Sequence, residues 1–168
     1  ITYPEDPHTA TQFTDLTDID LGSREKLYQG KYLHYQQAET NTSIREGWFY
    51  RDDTHQKVRS ADDVFDMYER SVGGNSTFLL NIPPNREGTF SQRDVEVLEE
   101  VGKRIRETYE VNLLQEAKGP KQVLDDDPDT YLLLGKNKRE IVVTLPVSAT
   151  INRLMVQEAI ATHSERVE

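Results

Sequence analysis

Two carboxylates and three adjacent aromatic residues occur together in the stretch AETNTSIREGWFY, which spans residues 38–50. The carboxylates are Glu39 and Glu46, and the aromatic residues occupy positions 48–50. Surface loops seldom carry such a cluster, so the stretch forms either a buried corner or the wall of a pocket for a ligand with an apolar face. A carboxyl group beside an apolar wall has a raised pKa and keeps a proton that it can donate.

The elements that would position this stretch alternate between helices and strands. The sequence predicts a short helix over residues 22–28 and a strand over residues 31–37 that leads into the stretch. Downstream, Ser60 is a good N-cap for a helix that ends at the glycine pair 73–74. The apolar run over residues 78–82 is typical of a parallel strand that is buried on both faces.

A second helix follows that strand, with Ser91 as its predicted N-cap. Helical spacing places an apolar face on each helix: Val64, Met67, Tyr68 and Val72 on the first, and Leu98, Val101 and Ile105 on the second. Strands that alternate with helices through short connections predict an α/β fold rather than a helical bundle.

The composition excludes several classes of partner. The 168 residues carry a formal net charge of -10, whereas nucleic acids and anionic membrane surfaces attract basic proteins. No apolar run approaches the roughly 20 residues that span a bilayer, and the chain has no cysteine for disulfides or thiolate chemistry. The turn at Gly88 lacks the glycine spacing of a phosphate loop, so we expect no cofactor. The chain opens at Ile1, and we expect it to be a segment of a longer protein.

The residue pattern changes in the second half of the chain, from alternating helices and strands to a linker and β-rich runs. Residues 113–122 predict a linker, and the β-rich runs within residues 123–168 predict part of an antiparallel β-sandwich. The acidic stretch VLDDDPDTY at residues 123–131 forms either a solvent-exposed turn or a structural Ca²⁺ site, because hard oxygen ligands cluster there. We favour the turn and predict no bound metal.

Three segments carry a resemblance to a known family. In chain order they are LGSREKL at residues 21–27, AETNTSIREGWFY at residues 38–50 and VGGNSTFLLNIPPNREG at residues 72–88. Together they resemble the C-terminal part of the catalytic (β/α)₈-type barrel of family 29 glycoside hydrolases, the α-L-fucosidases. Residues 123–168 look like the start of a discoidin-like β-sandwich, which often follows that barrel. The resemblance implies that residues 1–112 belong to the barrel.

The resemblance also implies a chemistry and a role for single residues. Family members are retaining, exo-acting hydrolases that release terminal α-L-fucose from glycans, and they use an Asp nucleophile and a Glu general acid/base. The position that matches the acid/base is Glu39, which we expected at the carboxyl end of a barrel strand. The implied role of Trp48 is to line the sugar pocket. Glu46 is a rival carboxylate that matches no catalytic position of the family.

The nucleophile of the family lies upstream of the matching segments, so the resemblance implies that this segment alone is inactive. Its implied partners are a fucosylated oligosaccharide or glycoconjugate and the remainder of its own catalytic domain, with no nucleic acid and no membrane. The resemblance favours a secreted or periplasmic location. Two alternatives are a carbohydrate-binding, lectin-like module and a catalytically inactive relative of the barrel.

Overall fold

The computed structural model of the chain describes residue 25 and residues 38–51, 55–137 and 140–157. The predicted strand over residues 31–37 lies outside the described residues, as does the predicted helix over residues 22–28 except for Glu25.

A parallel pair of strands joined by a helix forms the centre of the described structure. Strand β1 is Glu39–Ser43, helix α1 is Ala61–Gly73, strand β2 is Thr77–Asn81 and helix α2 is Gln92–Tyr109. The register pairs Glu39 with Thr77 and Ser43 with Asn81, so both strands point the same way. The predicted order of helix, strand and helix over residues 61–109 is therefore confirmed, and β1 lies at Glu39–Ser43, beyond the strand predicted over residues 31–37. None of the described helices is long and apolar enough to cross a bilayer.

Helix α1 begins and ends where the sequence predicts. The Ser60 hydroxyl accepts a hydrogen bond from the backbone N–H of Asp63 at 3.2 Å, which satisfies one of the free donors of the first turn. At the other end the Gly74 N–H donates to the carbonyls of Arg70 and Ser71. One predicted inward residue is wrong: Val72 is half exposed and Ser71 is buried in its place.

Helix α2 has the predicted inward face but a different cap. Val101 is buried, and Leu98 and Ile105 pack against the same core. The Ser91 side chain makes no capping hydrogen bond, and the Ser91 carbonyl accepts from Asp94 and Val95 as the helix starts. Backbone hydrogen bonds thus form the first turn, while the Asp94 carboxylate bonds to Arg45.

The core lies between the two helices and one face of the strand pair. Its buried apolar members are Ile44, Val64 and Val101, and the partly buried residues around them include Phe78 and Leu80 of β2. Leu79, on the opposite face of β2, is 46% exposed. The prediction that this strand is buried on both faces is therefore wrong for the described residues, because the helices cover one face only.

The described residues that follow α2 form no regular strand. They contain one antiparallel bridge, between Lys118 and Thr144, and a short 3₁₀ helix at Lys121–Val123. Strands need neighbours for both hydrogen bonding and burial, and in this part of the chain apolar residues such as Val142 and Leu154 are exposed. The predicted sandwich is thus not formed here and stays a prediction.

The acidic stretch uses its carboxylates within a turn. The Asp125 carboxylate accepts from the Thr130 hydroxyl at 2.9 and 3.0 Å, and Asp127 Oδ1 accepts from the Asp129 N–H at 2.9 Å. The bond from the Asp129 N–H to Asp127 is that of an Asx turn, in which an Asp side chain satisfies a nearby backbone donor. Within the described ranges no three acidic or histidine side chains are grouped so that they could hold a metal ion.

A contact between helix α1 and the segment around Arg153 connects the two halves of the chain. Glu69 on α1 accepts two hydrogen bonds from the Arg153 guanidinium, at 2.7 and 3.1 Å, and one from the Tyr109 hydroxyl at 2.7 Å. The hydrogen bonds from Arg153, and then that from Tyr109, hold the pKa of the Glu69 carboxyl below its usual value. This contribution to stability is present above the ordinary carboxyl pKa and is lost as pH falls through the lowered one.

Removing the Glu69 charge should loosen the segment around Arg153. In the Glu69→Gln variant we expect amide hydrogen exchange over residues 150–157 to accelerate by about two- to fivefold, the range for a partly exposed ion pair. Asp66→Asn is the matched control, since among the described residues Asp66 pairs with Arg70 on the same helix. Equal exchange in the two variants would show that the Glu69 contact does not hold the segment.

Candidate active site at the carboxyl end of strand β1

The chain leaves β1 through two buried residues and then forms a loop of five. Ile44 and Arg45 are buried, and residues 46–50, which we call the aromatic loop, are mostly exposed. The loop bends at Gly47, whose φ of +98° lies in a region that side chains other than glycine rarely adopt. The loop therefore lies at the carboxyl end of the parallel strands, the end at which α/β barrels carry their sites.

Side chains from outside the aromatic loop hold its backbone carbonyls. Gln56 Nε2 donates to the carbonyls of Glu46 and Phe49, at 2.9 Å each, and Asn81 Nδ2 donates to the Trp48 carbonyl at 2.7 Å. The Arg51 guanidinium adds a bond to the Glu46 carbonyl at 2.8 Å. Since three of the five loop carbonyls are fixed in this way, the loop has a defined conformation.

A buried ion pair lies beneath the aromatic loop. Arg45 Nε is 2.9 Å from both carboxylate oxygens of Asp94, and both side chains are fully buried. The Arg45 guanidinium carbon lies 5.2 Å from the centre of the Tyr50 ring, within range of a cation–π contact. The pair thus connects the end of β1 and the loop to the first turn of α2. The sequence analysis missed it, because nothing in the pattern joins residues 49 positions apart.

The three aromatic residues of the loop face different surroundings. Tyr50 lies against the buried arginine, whereas Trp48 is 45% exposed and Phe49 is 78% exposed. Exposed aromatic rings on a loop with an anchored backbone can pack on the apolar face of a ligand without a large cost in ordering. Trp48 and Phe49 are therefore the two rings of this loop that are open to contact from outside.

Glu39 does not lie where the sequence analysis expected it. It is the first residue of β1, level with the start of β2, and so stands at the amino end of the strand pair. At about 3.3 Å per residue the four steps from Glu39 to Ser43 separate it from the carboxyl end by about 13 Å. The aromatic residues 48–50 follow that far end in the chain.

Glu46 is the carboxylate that lies at the carboxyl end. It opens the aromatic loop as an exposed residue, and its N–H donates to the Lys57 carbonyl at 2.9 Å. Its position beyond the end of the strand agrees with the prediction.

The parallel strand pair, its connecting helix and an anchored aromatic loop at the carboxyl end define a part of an α/β enzyme domain. The sequence profile of the α-L-fucosidase family matches residues 6–110. The chain belongs to the α-L-fucosidase family, as its three motifs indicate.

Individual relatives agree with the family assignment. The chain is similar to α-L-fucosidase 1 of Arabidopsis thaliana, with 32% identity over 164 residues that cover 86% of this chain and 32% of the relative. Among solved structures, a candidate α-L-fucosidase of Bacteroides thetaiotaomicron is 35% identical over 66% of this chain and 26% of its own, with a TM-score of 0.54. A family 29 fucosidase of Ruminococcus gnavus, solved in complex with fucose, is 31% identical over 55% and 21%, with a TM-score of 0.50.

The coverage of these matches is unequal. They extend over most of this chain but over about a third or less of each relative, so the chain spans about a third of the length of the curated relative from Arabidopsis thaliana. The solved structures are family 29 fucosidases, whose catalytic domain is a (β/α)₈ barrel. The described strands and helices thus correspond to a small part of such a domain.

Proposed function

We propose that the chain is the C-terminal part of the catalytic barrel of a retaining, exo-acting α-L-fucosidase that removes terminal α-L-fucose from glycans. The observation that carries this proposal is the anchored aromatic loop at the carboxyl end of two parallel strands, in a chain of the α-L-fucosidase family. The bound fucose of the Ruminococcus gnavus relative supports a fucosyl substrate. In this proposal Trp48 covers the C–H bonds and methyl group of the sugar.

The proposed division of the chain follows the same resemblance. Residues 1–112 form the last part of the barrel, residues 113–122 a linker, and residues 123–168 the start of a discoidin-like β-sandwich. The change from helix α2 to turns and a single bridge after Tyr109 supports a boundary in this region.

The resemblance assigns the general acid/base to Glu39, and the direction of its side chain supports that role. The residues of β1 and β2 that alternate with the core-facing ones share the other face of the pair, where Glu39 lies level with Thr77 and near the exposed Leu79. In a closed barrel this face points to the interior.

One observation favours a second candidate. Barrel enzymes carry their catalytic groups at the carboxyl ends of the strands, and Glu46 lies at that end while Glu39 lies at the other. Glu46 also directly precedes Gly47 in the aromatic loop and is close in sequence to Trp48, the proposed pocket wall. We keep Glu39 as the assignment and treat Glu46 as the alternative, to be decided by matched variants.

The proposed chemistry needs two carboxyl groups about 5 Å apart. An Asp nucleophile from the remainder of the barrel attacks the anomeric carbon, while Glu39 gives its proton to the departing glycosidic oxygen. The carboxylate of Glu39 then takes a proton from the water that breaks the fucosyl–enzyme bond. Two inversions at the anomeric carbon leave the released fucose in its original α configuration.

The activity is tested on the full-length protein that contains this chain. We expect it to hydrolyse an aryl α-L-fucoside, and NMR recorded before mutarotation should show α-L-fucose as the first product. An aryl β-D-galactoside serves as the control substrate and should not be hydrolysed. First release of the β anomer would contradict retention. Binding of fucosylated glycan without hydrolysis would favour a lectin-like module or an inactive barrel relative.

A further inference from the structure

We propose that Gln56 is the positioning residue of the aromatic loop, and that its carboxamide holds Trp48 in place for stacking on a sugar ring. Gln56 is 3% exposed and lies outside the loop that it contacts. The inference rests on the proposed function, because it takes Trp48 as the wall of the fucose pocket. It assigns a role to a residue that makes no proposed contact with substrate.

Within the part of the chain that the structure describes, the Gln56 carboxamide bonds to the backbone of the loop and of the residue that follows it. Its Nε2 donates to the Glu46 and Phe49 carbonyls at 2.9 Å, and its Oε1 accepts from the Arg51 N–H at 3.1 Å. Both N–H donors of the amide and one side of its oxygen are therefore used. One buried side chain thus ties the start of the aromatic loop to its end.

The segment that carries Gln56 is itself fixed to the end of β1. Arg45 and Val58 form an antiparallel bridge, the Glu46 N–H donates to the Lys57 carbonyl at 2.9 Å, and the Arg59 N–H donates to the Ile44 carbonyl at 2.8 Å. Gln56 therefore acts from a rigid base. Without Gln56, the strands would still hold the loop through the bond that the Asn81 side chain donates to the Trp48 carbonyl.

A fixed loop matters because a ligand that stacks on Trp48 would otherwise meet the cost of ordering the loop. An aromatic wall contacts the sugar in both the ground state and the transition state. Loss of its positioning should therefore raise KM and leave kcat nearly unchanged. A residue needed only for folding would instead lower the amount of active protein and leave KM as it was.

The test uses Gln56→Leu and Gln56→Glu in the full-length protein. Leucine removes all three bonds, and glutamate keeps the size and the acceptor but has no N–H donor. For both variants we expect KM for an aryl fucoside to rise roughly tenfold, with kcat little changed, and amide exchange over residues 46–51 to accelerate. Gln92→Leu is the matched control, since Gln92 is exposed on α2 and bonds only to Glu96 in the described structure.

The outcomes separate this inference from the proposed function. Unchanged loop exchange in the Gln56 variants would overturn the positioning role, whatever the activity of the protein. Faster loop exchange with an unchanged KM would also overturn it, provided that Trp48→Ala raises KM. If the parent protein hydrolyses no fucoside, the proposed function fails, and faster loop exchange would still support the action of Gln56 on the loop. Should Gln56→Leu not fold, the near-isosteric Gln56→Glu carries the test.

Discussion

The Glu39→Gln variant of the full-length enzyme is expected to hydrolyse a natural fucosylated glycan on the order of 10² to 10⁴ times more slowly, the usual cost of losing general acid catalysis. Glutamine keeps the shape of the side chain and removes the transferable proton. An aryl fucoside with a good leaving group should lose much less in the first step, because that group departs without protonation. Steady-state and burst kinetics on the two substrates measure the difference.

Azide gives a second measurement of the same role. It attacks the fucosyl–enzyme without help from a base, from the face opposite the nucleophile, so turnover of the aryl fucoside should recover and α-L-fucosyl azide should form. Glu46→Gln is the matched control and should show neither effect. If Glu46→Gln shows the leaving-group dependence and Glu39→Gln does not, the general acid/base is Glu46 at the carboxyl end of the strand. If neither variant shows it, the acid/base lies outside this chain.

The largest expected effect on stability comes from breaking the buried ion pair beneath the aromatic loop. Asp94→Ala should lower the free energy of unfolding by about 3–5 kcal/mol, because it breaks a buried ion pair by removing the carboxylate that bonds to the Arg45 guanidinium. The loss of the contact between α2 and the end of β1 should also loosen residues 46–50. Denaturant unfolding of the full-length protein measures the change in free energy. Hydrogen exchange resolved to peptide segments measures the loosening of the loop.

A double variant and an exposed pair are the controls for this prediction. Replacing both partners, as Arg45→Met with Asp94→Leu, removes the buried charges together and should cost far less than Asp94→Ala alone. Asp62→Asn removes one carboxylate partner of Arg104, which also pairs with Glu100, and should change stability by less than about 0.5 kcal/mol because Asp62 is exposed. If the double variant is as unstable as Asp94→Ala, the loss of stability comes from the lost contact between residues 45 and 94. It then does not come from the buried charge that remains in Asp94→Ala.

The parts of the fold that the sequence predicts well are those with local causes. Helix α1 begins at Ser60 because its hydroxyl caps the first turn, and it ends at the glycine pair, so both bounds are visible in the sequence. The apolar run of β2 and the spacing of Leu98, Val101 and Ile105 are equally local signals. These elements could be identified before any contact between them was known.

The parts that the sequence did not predict depend on contacts between distant residues. Strand β1 reads ETNTS and has no apolar alternation, and it forms because it pairs in parallel with β2. The Arg45–Asp94 pair and the bonds of Gln56 likewise join residues whose spacing follows no period. For the same reason the motif indicated an aromatic pocket wall, while the structure was needed to place Glu39 at the opposite end of the strand.

The most direct test of the central claim is a crystal structure of the full-length protein with fucose bound. We expect atoms of the Trp48 indole to lie within about 4 Å of the sugar ring or its methyl group. The backbone of residues 46–50 should keep its bonds to Gln56 and Asn81. A fucose bound elsewhere in the barrel, with no contact to Trp48, would contradict the claim that the aromatic loop forms the wall of the sugar pocket.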